Sequence, residues 1–158
     1  MEQILLQHLL MGNRCVSSTA GVVINPVTGI IDLSASTPGT YTITNDINIT
    51  GCAAVQATDD ITIYDLPTAT ISGDTTVCLG THIPTVTIDL PGNGDWTFSY
   101  LLDGFQNNVS TTSDPYLITN AEGVYQLTSI TDIGIGCSNN IAGQIATVII
   151  LPIPQLGP

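Results

Sequence analysis

The chain has 158 residues, and its 13 acidic residues face a single basic residue, Arg14, which gives a net charge of −12. Binding to nucleic acid or to an anionic membrane surface requires clustered Lys and Arg, so the composition excludes the first partner and disfavours the second. Because 43% of the residues are apolar, we expect a folded chain with a hydrophobic core.

The N-terminal segment, residues 1–14, has an apolar centre from Ile4 to Met11 that Gln7 and His8 interrupt. This stretch is too short to span a bilayer. It also lacks the basic region and the small-residue cleavage site of a signal peptide. We therefore assign residues 1–14 to neither domain, and we expect the export signal to lie elsewhere or the natural protein to start at a different residue.

From Tyr41 onward, apolar and polar residues alternate in short runs, which is the pattern of β-strands with one solvent-facing side. Turn-forming pairs such as Pro38-Gly39, Asp103-Gly104 and Asp114-Pro115 separate these runs. Only residues 1–11 have a weak helical pattern. Many short strands joined by Gly and Pro turns predict an all-β fold of the sandwich type.

One segment occurs twice. GTYTITNDINITGC, Gly39 to Cys52, returns as GVYQLTSITDIGIGC, Gly123 to Cys137, with one additional residue. A Leu-Pro pair follows each Cys at the same distance, which sets a period of 85 residues, from Pro67 to Pro152. A fixed period indicates a repeated structural unit. We predict two tandem Ig-like sandwiches, residues 15–66 and 67–152, with a C-terminal linker or donor tail at residues 153–158.

The first sandwich is predicted to be short. Cys78 lies in the opening part of the second unit, and its counterpart one period earlier would fall before Met1. The groove left by the missing opening strand must then be filled by residues 1–11, by an upstream domain or by a strand from another chain. The apolar residues from Ile149 to Leu156 are the candidate donor for such head-to-tail polymerisation.

The four cysteines, Cys15, Cys52, Cys78 and Cys137, form no C-x-x-C pair, which argues against a zinc or a thioredoxin-like site. One disulfide per repeat, Cys15–Cys52 and Cys78–Cys137, is the simplest pairing, and each would contribute about 3–4 kcal/mol. Four buried free thiols are the alternative. A polar surface of hydroxyls and amides with almost no Lys favours an extracellular location, where disulfides persist.

Several segments of the second unit resemble the Ig-like/PKD-like tandem repeats of large secreted Bacteroidota surface proteins. They are PTATISGDTTVC (67–78), GDWTFSY (94–100), DPYLI (114–118) and GVYQLTSITDIGIGC (123–137). The first unit resembles another repeat of the same proteins from Ser18 to Thr44. The resemblance implies an adhesin or a gliding-motility-type protein exported by the type IX secretion system. It also implies O-glycosylation of Thr75, within Asp74-Thr75-Thr76.

Trp96, Tyr125 and Tyr41 are predicted to be core aromatic residues, with Trp96 packed on the Cys78–Cys137 bridge as in immunoglobulin-type domains. The alternative is that Trp96 forms a sugar-stacking platform, but aromatic residues at every second position of one strand are usually core. Acidic residues at strand ends are expected to be solvated turn residues, and calcium binding is the alternative. These residues are Asp59, Asp60, Asp95, Asp103, Asp114 and Asp132.

No nucleophile and base pair is recognisable, so we predict no enzyme activity, no catalytic residue, no metal ligand and no cofactor. The favoured function is an extracellular structural or adhesive repeat of a surface stalk or filament, with itself or neighbouring repeats as partners and no membrane insertion. The alternative is a carbohydrate- or calcium-binding accessory module of a larger secreted protein, with surface glycans as partners.

Overall fold

The computed structural model of the protein describes residues 13–48, 54–80, 84–92, 94–119 and 122–154. These residues form β-strands and no helix, which confirms the all-β fold. The chain divides into two compact units, Met1–Asp65 and Leu66–Pro158. Within the described ranges, no helix has the length and apolar character needed to cross a membrane.

Unit 1 contains one three-stranded antiparallel sheet and one short hairpin. The sheet has the order β1-β4-β5, and the hairpin pairs β2 with β3. The strands are β1 (Asn13–Ser18), β2 (Val23–Ile24), β3 (Ile31–Asp32), β4 (Gly39–Asn48) and β5 (Val55–Ile63).

The alternation of residues along β4 gives this sheet one polar and one mostly apolar side. On the polar side, the Thr42 hydroxyl donates a hydrogen bond to Asp60 (2.7 Å) on β5. On the apolar side, Ile43 packs with Val16 of β1 and with Ile31 of the hairpin, and all three are buried. Burial of a side chain of this size stabilises a fold by about 1.5–3 kcal/mol. With only these three residues in the described cluster, the core of unit 1 is small.

Unit 2 contains two sheets. The larger has the order β10-β9-β12-β14-β7, with β13 also paired to β12, and the smaller has the order β11-β8-β6. The strands are β6 (Thr70–Ser72), β7 (Thr75–Cys78), β8 (Thr85–Asp89), β9 (Trp96–Leu102), β10 (Phe105–Thr111), β11 (Tyr116–Thr119), β12 (Gly123–Asp132), β13 (Cys137–Asn140) and β14 (Ile145–Leu151).

Both sheets of unit 2 contribute to one core, as in a β-sandwich. The small sheet supplies Val86 and Ile88, and the large sheet supplies Phe98, Leu127 and Ile130 among others. These five side chains are at most 1% exposed. Thirteen buried residues form this cluster, compared with three in the cluster of unit 1, so the described part of unit 2 is the better-packed half of the chain.

The repeat in the sequence is also present in the way the strands pair. In unit 1, Tyr41 pairs with Ile61 across β4 and β5. In unit 2, Tyr125 pairs with Ala146 across β12 and β14. Ala146 lies one 85-residue period after Ile61. The β4-β5 pair and the β12-β14 pair are therefore equivalent, although β13 lies between the two strands of the second pair.

The additional residue of the second copy is Thr128. The pairing of β12 with β9 shifts between Leu127 and Ser129, which leaves Thr128 as a β-bulge. Thr44 and Thr128 are therefore not equivalent positions, although both are Thr. Thr44 pairs with Ser17 in unit 1, and the matching position in unit 2 is Ser129, which pairs with Ser99.

The glycine that opens both copies is required by the backbone. Gly123 has φ +140°, a value that side chains disfavour, and a Cβ there would lie 2.6 Å from both Asp103 Oδ2 and Leu102 Cδ1. Gly39 has φ +150° and lies against the ring of Tyr41. Glycine at these two positions lets the strand enter the sheet beside its neighbour.

Candidate functional site

The first candidate site is the pair formed by β7 and β14, which are parallel while the other paired strands of the described sheets are antiparallel. Thr75 lies opposite Val148, and Cys78 lies opposite Leu151. The ladder continues past the strand ends. Leu79 N donates to Leu151 O (2.9 Å), and Thr147 N donates to Asp74 Oδ1 (2.7 Å).

This pair joins an early strand of unit 2 to its last strand. Tension applied to the two ends of the unit pulls β7 and β14 in opposite directions along their common axis. The hydrogen bonds of the ladder then share the load, because none can break without sliding the whole strand. An antiparallel hairpin pulled at its open end instead loses its bonds one after another.

The predicted donor segment, Ile149 to Leu156, is partly committed to this ladder. Ile149, Ile150 and Leu151 belong to β14 and pair with β7. Pro152 and Pro154 follow, and proline has no N–H to donate to a sheet. Donation of residues 149–151 to another chain would therefore require β14 to leave its own sheet. Residues 155–158 lie outside the described residues.

The second candidate site is an open cavity on the apolar side of the unit 1 sheet. It has a volume of about 310 Å³ and is lined by residues of all three strands and by Gly29. The lining residues are Val16, Ile43, Asn45, Ala57, Thr58, Asp59 and Ile61. The β2-β3 hairpin packs on the same side through Ile31 and contributes Gly29, in its loop, to the lining of the cavity.

The predicted core aromatic residues all lie inside the units. Tyr125 is fully buried, Trp96 is 3% exposed and Tyr41 is 8% exposed. The Tyr41 hydroxyl donates to Thr37 O (2.7 Å), which ties β4 to the turn before it. An open depression of about 490 Å³ borders Trp96, but an indole this buried cannot offer its face to a sugar ring.

Burial also affects the titration of two tyrosines in unit 2. Desolvation raises the pKa of Tyr100, and the nearby phenol of Tyr116 adds to this shift. Desolvation likewise raises the pKa of Tyr125, with Tyr100 and the carboxylate of Asp103 acting in the same direction. The fold therefore favours the neutral form of both phenol groups.

The predicted Cys78–Cys137 disulfide is wrong. Cys78 lies opposite Leu151 at one end of the large sheet, and Cys137 lies opposite Asp132 at the other end. The two positions are separated by nine steps along β12, from Asp132 to Gly123, and by three more along β14. At about 3.3 Å per residue this is roughly 40 Å, whereas bridged cysteines have Cα atoms less than about 7 Å apart.

Trp96 therefore has no bridge to pack on. Cys137 is a half-buried free thiol, and Cys15 in unit 1 is an exposed free thiol. Cys52, the predicted partner of Cys15, lies outside the described residues. The alternative of four buried thiols is also incorrect in part, because Cys15 and Cys78 are both exposed.

The turn carboxylates bind backbone N–H groups of their own chain. Asp103 Oδ1 accepts from Val124 N (2.8 Å), and Asp114 Oδ1 accepts from Leu90 N (2.8 Å). Asp132 Oδ1 accepts from Gly134 N (2.9 Å) and so closes the turn between β12 and β13. Within the described ranges, no group of three or more His, Cys, Asp and Glu side chains is arranged to hold a metal ion.

Of the remaining acidic positions, Asp59 follows the same pattern, Asp60 Oδ1 accepts from the Thr42 hydroxyl, and Asp95 accepts through its backbone carbonyl. Asp59 Oδ1 accepts from Asp60 N (3.0 Å), and Asp95 O accepts from Ile133 N (2.9 Å). Thr75, the predicted glycosylation site, is the first residue of β7 and is half-buried. Its modification stays a prediction. The parallel ladder beside it had no local signal in the sequence.

No protein-family model matches this chain, and no curated protein matches it at a significant level.

Proposed function

We propose that the protein is an extracellular structural repeat unit of a surface stalk or filament that carries tension through unit 2. The parallel ladder between β7 and β14 is the observation on which this proposal rests. A force applied to the two ends of unit 2 would load the hydrogen bonds of this ladder in shear. The partners are neighbouring repeats or further copies of the same chain joined end to end.

The surface of the large sheet supports the same reading. Several of its outward positions on β9, β10, β12 and β13 carry hydroxyl or amide side chains that bond to one another across strands. Ser99 Oγ donates to Asn108 Oδ1 (2.7 Å), and the hydroxyls of Thr131 and Ser138 lie 2.8 Å apart. Such cross-strand pairs stabilise a sheet by about 0.2–1 kcal/mol each. They also make the surface of the sheet hydrophilic without lysine side chains.

The resemblance to Bacteroidota surface repeats supports an adhesive or stalk role and export by the type IX system. The alternative, an accessory module that binds glycans or calcium, gains less support. Its most obvious platform, Trp96, is buried, and the acidic turn residues Asp103, Asp114 and Asp132 already accept backbone hydrogen bonds.

The test is single-molecule force spectroscopy of the full chain pulled from its two ends. Since Leu79 N donates to Leu151 O, the two-residue period of the ladder directs Val77 N toward β14 and Thr76 N away from it. The Val77→Pro variant loses a ladder hydrogen bond and is expected to rupture at clearly lower force. Thr76→Pro is the matched control and should rupture close to the wild-type force.

Equal rupture forces for Val77→Pro and wild type would contradict the proposal that the ladder carries the tension. The location is tested separately, by labelling intact cells of the source organism with an antibody against unit 2. Labelling only after the cells are opened would contradict the extracellular assignment.

A further inference from the structure

The large sheet of unit 2 has an open edge at β10. Within the described ranges, β10 pairs with β9 on one side and with no strand on the other. The two strands are joined by a two-residue turn, Asp103-Gly104, with φ values of 50° and 86°, so the residues that flank the turn form a hydrogen-bonded pair. Because such pairs alternate along an antiparallel ladder, Gln106, Asn108 and Ser110 direct their backbone N–H and C=O groups away from β9.

β10 lacks the features that protect an exposed edge. Edge strands of natural sheets are commonly very short, or they carry charged side chains, proline or a bulge. β10 has seven residues, FQNNVST, with no charge and no proline, and its pairing with β9 runs without a shift. The neutrality of this strand contrasts with the net charge of −12 of the whole chain. Its outward backbone groups are therefore available to another strand.

The other described sheet edges differ from β10. In unit 1, β5 is an edge strand of nine residues, but it carries Asp59 and Asp60 near its middle. The outer edge of β1 is partly covered, since Val16 N donates to Pro26 O (2.8 Å). In unit 2, the edge strands β6, β7, β11 and β13 have only three or four residues. Among the described strands, β10 combines length with neutrality.

An exposed aromatic side chain lies at the start of the same strand. Phe105 is 77% exposed, although alternation places it on the same side of β10 as Val109, which packs against the core. In an antiparallel pair of two β10 strands centred on Asn108, Phe105 of one copy lies opposite Thr111 of the other. A second strand at this edge would therefore remove part of the Phe105 ring from water.

We propose that β10 pairs with β10 of a second copy of this chain, antiparallel and about a two-fold axis at Asn108. Gln106 then lies opposite Ser110, and each hydrogen-bonded pair exchanges two backbone bonds. The strand is complementary to itself because no charge meets a like charge. The same arrangement of two β5 strands would place Asp59 opposite Asp59, which is destabilising. This difference in charge favours a second copy at β10 and disfavours one at β5.

The side chain of Asn108 is suited to the axis position. Its Oδ1 atom accepts from Ser99 Oγ (2.7 Å) and from Gln106 Nε2 (3.1 Å) of its own chain. These two bonds fix the orientation of the amide and direct its acceptor toward its own sheet. The Nδ2 group is then the donor that Asn108 presents to the second copy.

This contact is lateral, so it goes beyond the end-to-end joining of repeats and does not depend on it. β10 and β7 lie at opposite edges of the large sheet, and pairing at β10 leaves the ladder between β7 and β14 in place. A two-fold contact uses the same edge of both copies and therefore closes at two chains. Two neighbouring stalks would be joined side by side.

Sedimentation equilibrium and amide hydrogen exchange of the full chain test the proposal. We expect a monomer–dimer equilibrium between micromolar and millimolar concentration. In the dimer, the amides of Gln106, Asn108 and Ser110 should exchange at least about tenfold more slowly, whereas those of Asn107 and Val109, which bond to β9, should be unchanged. A monomer at all concentrations, or a dimer in which the three outward amides exchange as in the monomer, would overturn the proposal.

A variant pair provides a second readout. Asn108→Asp places two carboxylates opposite each other at the axis and should raise the dimer dissociation constant at least about tenfold at low salt. Its carboxylate can still accept from Ser99 and Gln106, which preserves the pairing of β9 with β10. Thr76→Asp is the matched control, since it adds the same charge at an exposed position of β7, and its dimerisation should equal that of the wild type. Equal dimerisation of Asn108→Asp and wild type would overturn the proposed interface, and the exchange measurement on the wild type depends on neither variant.

Discussion

At the scale of single residues, several carboxylates of the described residues accept hydrogen bonds from backbone N–H groups. Asp103, Asp114 and Asp132 each accept a hydrogen bond from a backbone N–H at a strand end. Asp32 does so in unit 1, where hydrogen bonds from the side chain and backbone of Ser34, with a further one from Ala35, lower the pKa of its carboxyl group. Charge-assisted hydrogen bonds of this kind explain how a chain with one basic residue can fold with a net charge of −12.

The buried tyrosines predict a loss of stability at alkaline pH. Burial raises the pKa of Tyr100 and Tyr125 in the folded state above the unfolded value of about 10. The stabilisation linked to their neutral form is therefore complete below pH ~10 and is lost as the pH rises above that value. We expect the free energy of unfolding of unit 2 to fall in this range, as measured by urea unfolding with the fluorescence of Trp96, the only Trp.

The Tyr100→Phe variant should show a shallower decrease, because one ionisable group is removed. Tyr64→Phe is the control, since Tyr64 is 54% exposed and lies outside unit 2, and the unfolding of unit 2 should be the same in this variant as in the wild type. A stability that stays constant between pH 9 and 11 in the wild type would be inconsistent with this interpretation.

At the scale of elements, the two copies of the repeat differ by one bulge. β4 runs through its sheet without a shift, whereas β12 accommodates Thr128 between Leu127 and Ser129. The Thr128 hydroxyl donates to Ser99 O (2.9 Å), and its carbonyl accepts from Ile141 N (2.8 Å). Because of the bulge, Leu127 and Ile130 are both fully buried although they lie three residues apart.

Deletion of Thr128 should be tolerated better than deletion of Thr97. Without Thr128, the order Leu127-Ser129-Ile130 reproduces the alternation of the first copy, and the main loss is one or two hydrogen bonds of about 1 kcal/mol each. Deletion of Thr97 in β9 places Trp96 and Phe98 on opposite sides of the sheet, because side chains alternate along a strand. Urea unfolding should show a folded protein for the first deletion and a severely destabilised one for the second, and the reverse order would refute the assigned register.

At the scale of the whole molecule, the described part of unit 2 is stabilised by the packing of its core. No disulfide joins the described cysteines, and Cys137 is a free thiol. We expect a reducing agent to change the free energy of unfolding of unit 2 by less than about 0.5 kcal/mol, whereas loss of a disulfide would cost about 2–5 kcal/mol. Unfolding curves with and without dithiothreitol, read from Trp96, make this comparison.

Intact-mass measurement after alkylation of the native protein provides the control for oxidation state. Cys15 and Cys78 are exposed, so both should be alkylated without prior reduction or unfolding. A mass increase that appears only after reduction would show that these thiols are paired in solution and would contradict the expected result.

The all-β fold, the strands and the repeat could be predicted from the sequence because each depends on neighbouring residues. The alternation of Trp96, Phe98 and Tyr100 indicated one buried side of a strand, and all three residues are buried. The cysteine pairing could not be predicted in this way. It assumed one disulfide within each repeat, and sequence spacing does not contain the distance between the ends of a sheet.

The amino-acid pattern by itself determined where strands form, which side of each is apolar and where the second copy of the hairpin begins, since period, turn chemistry and glycine freedom are local properties. Only the tertiary structure decided that β7 lies parallel to β14, that Thr128 is the additional residue and that the cysteines of unit 2 lie at opposite ends of a sheet. These outcomes depend on contacts between residues far apart in the chain. Such contacts are selected by the packing of the whole core around Phe98, Tyr125 and Leu127, which no short segment encodes.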